Sequence, residues 1–228
     1  MAQCPFATQH PISGSSGSNL TGPYRIVHHT TEGASAAGAF AAFARGRSDP
    51  HFTVDHTSVY QHIDTGVAGR ALVHAKGEEE TNRASAVQIE VVGFAGAPKN
   101  PQTLRNVARL CRWIEDTHGV SRTWPSGLPR PPVDGADPGG HNRDPKIWAT
   151  QGGHYGHCHV PENVHWDPAY TRLEVEYVMG AAFDADGHLT NPGDPAIKAL
   201  ASRPVALDAT EPAVMTDHAD VGGDDDGG

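Results

Sequence analysis

The chain has 228 residues, of which 37% are hydrophobic and 19% are charged, and its formal net charge is −10. This length and apolar content suit one domain with a sizeable core. The negative charge argues against nucleic acid as a partner, because phosphate binding needs clustered Lys and Arg. No apolar run approaches the ~20 residues that a membrane span requires, so we expect no membrane insertion.

The first residues contain neither a basic region nor an apolar run, so they do not predict a Sec signal peptide, and we expect synthesis in the cytoplasm. The three cysteines, Cys4, Cys111 and Cys158, form no CxxC pair, which indicates reduced thiols. Histidine is the outlier, with 15 residues clustered at 28–29 and 154–159. Such clusters are typical of metal sites, although a histidine-rich surface would have the same composition.

In chain order, residues 1–22 are rich in Gly, Ser and Pro and predict an extended N-terminal segment. A β-branched and aromatic run at 24–30 predicts a strand. The Ala-rich stretch at 34–45, closed by Gly46, predicts a helix. Two strands with a turn between them are expected within 52–63.

A polar loop is predicted at 64–83, followed at 85–94 by a strand whose β-branched content indicates a central, buried position. A helix is predicted between Asn100, as N-cap, and Gly119, with Pro101 in its first turn. Its apolar residues recur at helical spacing and should form one buried stripe.

Residues 123–153 are rich in Pro and Gly and predict an irregular surface segment. A third helix is expected over 167–179. Residues 183–228 form a Pro-, Gly- and Asp-rich acidic tail that we expect to be largely disordered. The globular domain is therefore expected at 23–182, and its alternating strands and helices indicate the α/β class.

A catalytic zinc site takes three ligands from His, Asp, Glu or Cys and leaves a position for water. The candidate ligands lie in three short stretches: His28 and His29; His154, His157, Cys158 and His159; and His165 and Asp167. Because alternate residues of a strand share a face, only one of His28 and His29 can face a site, whereas His157 and His159 could point the same way. The residues alone do not choose the triplet. Surface histidines, with Asp167 merely capping a helix, are the alternative.

Glu90 lies inside an otherwise apolar strand. Carboxylates are rarely buried without a partner or a role, and a Glu near a zinc-bound water can act as a general base. The alternative is a half-exposed strand with Glu90 facing water.

Residues 156–168, from Gly-His to Asp-Pro, resemble the metal-binding segment of the type 2 N-acetylmuramoyl-L-alanine amidases. That family includes phage endolysins, bacterial cell-wall amidases and animal peptidoglycan recognition proteins. Residues 26–30 resemble its opening strand, and 82–90 resemble the strand with its catalytic Glu. Residues 73–77 are similar to its WHAG-like loop, with Val in place of Trp. The resemblance covers about residues 24–179 and implies one α/β domain with a central mixed β-sheet flanked by helices.

The resemblance implies that His28, His157 and Asp167 bind Zn²⁺, because the first His of the pair in the opening strand is the ligand in this family. It implies that Glu90 is the general base and that His165 donates a hydrogen bond to the oxyanion. Three further histidines are implied to contact the substrate or support the site: His29, His74 and His159.

The implied activity is hydrolysis of the amide bond between N-acetylmuramic acid and L-alanine in peptidoglycan, as in an antibacterial, endolysin-like enzyme. We expect a monomer that reaches the cell wall by release or dedicated export. Two alternatives are a non-catalytic peptidoglycan-binding module and an amidase that recycles soluble muropeptides.

Overall fold

The structure of the protein is a computed structural model that describes residues 2–46 and 48–204. The strands are β1 (Thr8–Gln9), β2 (Gly17–Ser18), β3 (Arg25–Thr30), β4 (Phe52–Val54), β5 (Val59–Gln61), β6 (Val67–Ala68), β7 (Ala86–Val91) and β8 (Gly153–Gly156). The helices are α1 (Ala36–Gly46), α2 (Pro101–His118), α3 (Pro145–Thr150), α4 (Arg172–Gly180) and α5 (Pro195–Ala201), with a 3₁₀ turn at His157–His159.

Six strands form a mixed sheet in the order β1-β5-β4-β7-β3-β8, while β2 and β6 form a separate pair. β3 is parallel to both neighbours, β7 and β8, and β4 joins β7 in parallel and β5 in antiparallel orientation. All residues of β3 and β7 are buried, as expected for central strands. The predicted fold class, one α/β domain with a mixed sheet and flanking helices, is confirmed.

The main core lies on the sheet face that packs against α2 and α4, which we call the covered face. Ile26 of β3 and Ile89 of β7 pack there against Leu104 and Leu110 of α2 and Val178 of α4. On the opposite face a smaller cluster surrounds β3 and β8: Val27, Leu72, Ala86, Trp148, Tyr155 and Val160. Neighbouring residues of β3 therefore enter different halves of the interior.

Local capping explains α2, whose predicted boundaries agree with the structure. The Asn100 side chain accepts hydrogen bonds from the amides of Gln102 and Thr103, and Gly119 ends the helix with φ of 67°. A left-handed residue at this position is least costly for glycine. The last core helix starts later than predicted: Thr171 caps α4 in a capping box with Glu174, so Asp167 is not the cap.

Two segments predicted to be irregular contain helices. Residues 123–153 include α3, which Asp144 caps through the amides of Lys146 and Ile147. Residues 183–204 contain α5, whose Ile197 and Leu200 are buried in the main core, so the tail was predicted to begin too early. The prediction of disorder for residues 205–228 lies outside the described residues.

The first residues are part of the fold. β1 pairs with β5 and β2 pairs with β6, while Cys4 lies in the main core with 2% exposure. No helix within residues 2–46 and 48–204 is long and apolar enough to cross a bilayer.

Candidate metal centre

The two histidines of β3 lie on opposite faces of the sheet. His28 is on the covered face, where its ring contacts Tyr170 and His154. His29 is on the other face, beside His157. The structure therefore does not bring His28 to the predicted group, because successive side chains of a strand alternate between faces and α2 covers the face of His28.

Three buried side chains converge beside the end of β3. His29 Nδ1 lies 3.1 Å from His157 Nδ1, and His157 Nδ1 lies 3.3 Å from Asp167 Oδ1. One nitrogen or oxygen atom from each residue lies within 4.8 Å of the other two. Two imidazoles and a carboxylate are a donor set typical of catalytic zinc.

Neighbouring groups fix the orientation of these side chains. The backbone N–H of Thr30 donates to Asp167 Oδ2 at 2.8 Å, and His157 Nε2 lies 2.8 Å from Asn163 Oδ1. His29 Nε2 is buried without a hydrogen-bond partner among the residues that the structure describes. The facing Nδ1 atoms and the oriented carboxylate place three potential ligand atoms close enough together to hold a divalent cation.

The directions in which the pKa values of His29 and Asp167 are shifted agree with metal binding, which needs a neutral imidazole and an ionised carboxylate. Burial, and then the charge of His157, holds the pKa of His29 well below its usual value. Burial alone would raise the pKa of Asp167, but His157, His29 and the amide of Thr30 outweigh it and hold this pKa far below the ordinary range.

Glu90 lies next to this group on the neighbouring strand β7. It pairs with His29 in register, and its Oε1 lies 3.9 Å from His29 Nδ1. The residue is only 5% exposed, so the alternative of a solvent-facing Glu does not apply. Burial, followed by the charges of Asp167 and Glu32, raises the pKa of Glu90 well above its usual value. A carboxyl group in such an environment can accept and return a proton near neutral pH.

The other predicted histidines have different surroundings. His165 is exposed, and its ring stacks on that of His157 with centroids 4.5 Å apart. His74 is exposed, with Nδ1 3.1 Å from the Glu79 carbonyl. His159 is buried, and its Nδ1 accepts a hydrogen bond from the Gly156 amide at 3.0 Å. The sequence argument that His157 and His159 share a strand face was wrong, because β8 ends at Gly156 and both lie in a 3₁₀ turn.

A second buried group with metal-ligand spacing, on the covered face, comprises His28, Cys111 and His154. Its ring nitrogens already have partners. His28 bonds to Tyr170 Oη at 3.3 Å and to His154 at 3.1 Å, and the other ring nitrogen of His154 bonds to Glu115 at 3.0 Å. Burial raises the pKa of the Cys111 thiol far above its usual value, which disfavours the thiolate that binds metals. This group fits a cation less well than the His29 group does.

The α/β fold thus carries a buried group of two histidines and one carboxylate that could hold a metal ion. A family model described as N-acetylmuramoyl-L-alanine amidase matches residues 20–170, and the chain belongs to this family. The hydrolase AmiA of Staphylococcus aureus, solved in complex with its ligand, superimposes with a TM-score of 0.54 at 13% identity, over 78% of this chain and 82% of that one. This likeness shows a shared fold.

A second solved structure, the endolysin N-acetylmuramoyl-L-alanine amidase LysCS of Clostridium intestinale, matches with a TM-score of 0.49 at 14% identity, over 77% of this chain and 96% of that one. No curated protein sequence matches the chain.

Sequence reasoning did not find Asn163, which supports His157. Its signal is weak, because an Asn in a loop after a Pro is ordinarily a turn residue.

Proposed function

We propose that the protein hydrolyses the amide bond between N-acetylmuramic acid and L-alanine in peptidoglycan, with Zn²⁺ held by His29, His157 and Asp167. The observation that carries this proposal is the convergence of the two Nδ1 atoms and Asp167 Oδ1 beside the buried Glu90. Membership of the N-acetylmuramoyl-L-alanine amidase family indicates which amide bond would be cleaved. In this proposal His29 takes the place that the sequence prediction gave to His28.

A bound Zn²⁺ supplies a Lewis acid for the scissile carbonyl and lowers the pKa of a water molecule. Glu90 takes the proton from the attacking water as the new C–O bond forms. It then delivers this proton to the amine of L-alanine as the C–N bond breaks. The raised pKa of Glu90 suits the second step, because it makes the acid form that delivers the proton easier to populate.

His165 is the proposed oxyanion donor. Its exposed ring lies against His157 at the outer side of the group, and Arg143 holds its backbone carbonyl through a hydrogen bond of 2.9 Å. A hydrogen-bond donor fixed at this place stabilises negative charge that develops on the carbonyl oxygen. We propose that His74, exposed on a neighbouring loop, contacts the stem peptide, whereas the buried His159 supports the Gly156 backbone.

We propose a lytic role at the cell wall, by a monomer made in the cytoplasm that reaches the wall by release or dedicated export. Digestion separates this role from recycling. Purified full-length protein with Zn²⁺ is incubated with intact sacculi or with soluble muropeptides, and the products are identified by mass spectrometry.

We expect free L-alanine amino groups and peptide-free glycan from sacculi, and Glu90→Gln should reduce the rate by about 10²–10⁴-fold. Glu176→Gln, at an exposed position of α4, is the control and should leave the rate unchanged. Cleavage of a different bond, or full activity of Glu90→Gln, contradicts the proposal. Activity on soluble fragments alone would assign the recycling role.

A further inference from the structure

The side chain of Asn163 connects the proposed metal ligand His157 to residues 72–82, which we call the rim loop. Asn163 is 2% exposed. Its Oδ1 accepts a hydrogen bond from the Val73 amide at 3.0 Å, and its Nδ2 donates to the carbonyls of Val73 at 3.1 Å and Pro161 at 2.8 Å. These three backbone bonds leave only one orientation for the amide, because a flipped group would face the Val73 N–H with a donor and two carbonyls with an acceptor.

This orientation determines the tautomer of His157. Asn163 Oδ1 lies 2.8 Å from His157 Nε2 and can only accept, so Nε2 must carry the hydrogen. A neutral imidazole then has its lone pair on Nδ1, the atom that faces His29 Nδ1 at 3.1 Å and Asp167 Oδ1 at 3.3 Å. With the other tautomer, the Nδ1 hydrogen would point at Asp167 and block the position of a cation.

We propose that Asn163 is a positioning residue: it holds His157 with Nδ1 open to a divalent cation and ties this ligand to the rim loop. The proposal rests on the proposed function for the identity of the cation. Such outer partners of metal-bound histidines commonly account for a 10–100-fold difference in metal affinity, to order of magnitude.

A matched control exists in the same loop. Asn82 bonds to both backbone polar groups of Leu72, just as Asn163 bonds to those of Val73. Its Oδ1 accepts a hydrogen bond from the Leu72 amide at 3.1 Å, and its Nδ2 donates to the Leu72 carbonyl at 2.7 Å. Asn82 is 5% exposed, and its Oδ1 accepts a further hydrogen bond from the Gln88 side chain at 3.1 Å, not from His157. Asn82→Ala therefore loosens the rim loop without removing the acceptor of His157.

The first experiment measures Zn²⁺ affinity of the full chain by competition with a chromogenic chelator. Asn163→Ala should weaken binding by about 10–100-fold, whereas Asn82→Ala should leave it unchanged. Asn163→Asp keeps an acceptor for Nε2–H but loses both donors, so it should restore most of the affinity. Equal losses in Asn163→Ala and Asn82→Ala would assign the effect to loop order and overturn the proposal.

The second experiment needs neither Zn²⁺ nor a variant. Long-range ¹H–¹⁵N NMR spectra of the metal-free wild type at pH 8 report which nitrogen of His157 carries hydrogen. We expect Nε2–H, and a spectrum with hydrogen on Nδ1 refutes the proposal. Because this readout does not involve amide cleavage, its failure is distinguishable from failure of the proposed function.

Discussion

Replacing each histidine of β3 by alanine should separate two roles that neighbouring residues perform. His28→Ala removes the partner of Tyr170 Oη and of His154 at a position with 0% exposure. Each buried polar group left unpaired costs about 1–3 kcal/mol, so the sum is about 2–6 kcal/mol. In a protein of this size 1 kcal/mol corresponds to roughly 2–4 °C, so the Tm of the metal-free protein should fall by at least about 4 °C.

His29→Ala should instead affect metal binding and leave the stability of the metal-free protein nearly unchanged. His29 Nε2 has no hydrogen-bond partner within the described ranges, and His157 Nδ1 keeps Asp167 Oδ1 at 3.3 Å when His29 is removed, so the Tm of the metal-free protein should change little. The variant loses one of three proposed ligands and should no longer retain stoichiometric Zn²⁺.

Metal content by mass spectrometry of the dialysed proteins and thermal unfolding with and without Zn²⁺ measure both effects. His28→Gln, which keeps a polar side chain, serves if His28→Ala does not fold. Full Zn²⁺ retention by His29→Ala together with loss from the folded His28 variants would refute the assignment and restore His28 as the ligand.

Three further results follow from buried groups. Because the pKa of Glu90 is raised, the folded state keeps a proton that the unfolded state releases above about pH 4.5, so this carboxyl group makes the protein less stable as pH rises. Glu90→Gln removes this effect and should stabilise the metal-free protein increasingly between pH 5 and 8 in urea unfolding. A gain in stability that stays the same across this pH range would contradict the reasoning. Burial lowers the pKa of His51 to about 4 from 6.5, so its contribution is complete above 6.5 and roughly 3 kcal/mol is lost as pH falls to about 4. His51→Gln should flatten this acid limb, and an equally steep profile would show that other groups dominate. Leu200→Ala, at 0% exposure in the main core, should cost about 2–5 kcal/mol in urea unfolding, and a loss near zero would refute the docking of α5.

Features encoded locally were predictable. The Asn-Pro start and Gly end of α2 gave both boundaries because capping depends on a few adjacent residues. The helices α3 and α5 carry the same Asp-Pro start at 144–145 and 194–195, but each has seven residues or fewer and lies within Pro- and Gly-rich sequence. Without a long apolar stripe, their helical pattern is weak.

The choice between His28 and His29 depends on contacts distant in sequence. Strand alternation requires opposite faces, but only the position of α2 and α4 decides which face is closed. The prediction of a continuous strand through 157–159 was wrong for a related reason. The strand ends at Gly156, where the Cβ of any other residue would lie 2.7 Å from Pro168. His157 and Asp167 lie close together because the loop between them closes through a Cys158–Asp167 backbone hydrogen bond of 2.9 Å.

The adjacent histidines also bear on the register of β3, the alignment of this strand with its neighbours β7 and β8. A slip by one residue would bring His28 into the place of His29 and Ile26 into the place of Val27, and at these two places the type of side chain would stay the same. Arg25 breaks this symmetry: it is 2% exposed, its guanidinium lies 4.5 Å above the Trp148 ring, and it donates to the Ala84 carbonyl. The same slip would place this cation at the position of Ile26, in the main core on the covered face. Arg25, four residues before the proposed ligand His29, therefore helps to set the register that places His29 beside His157.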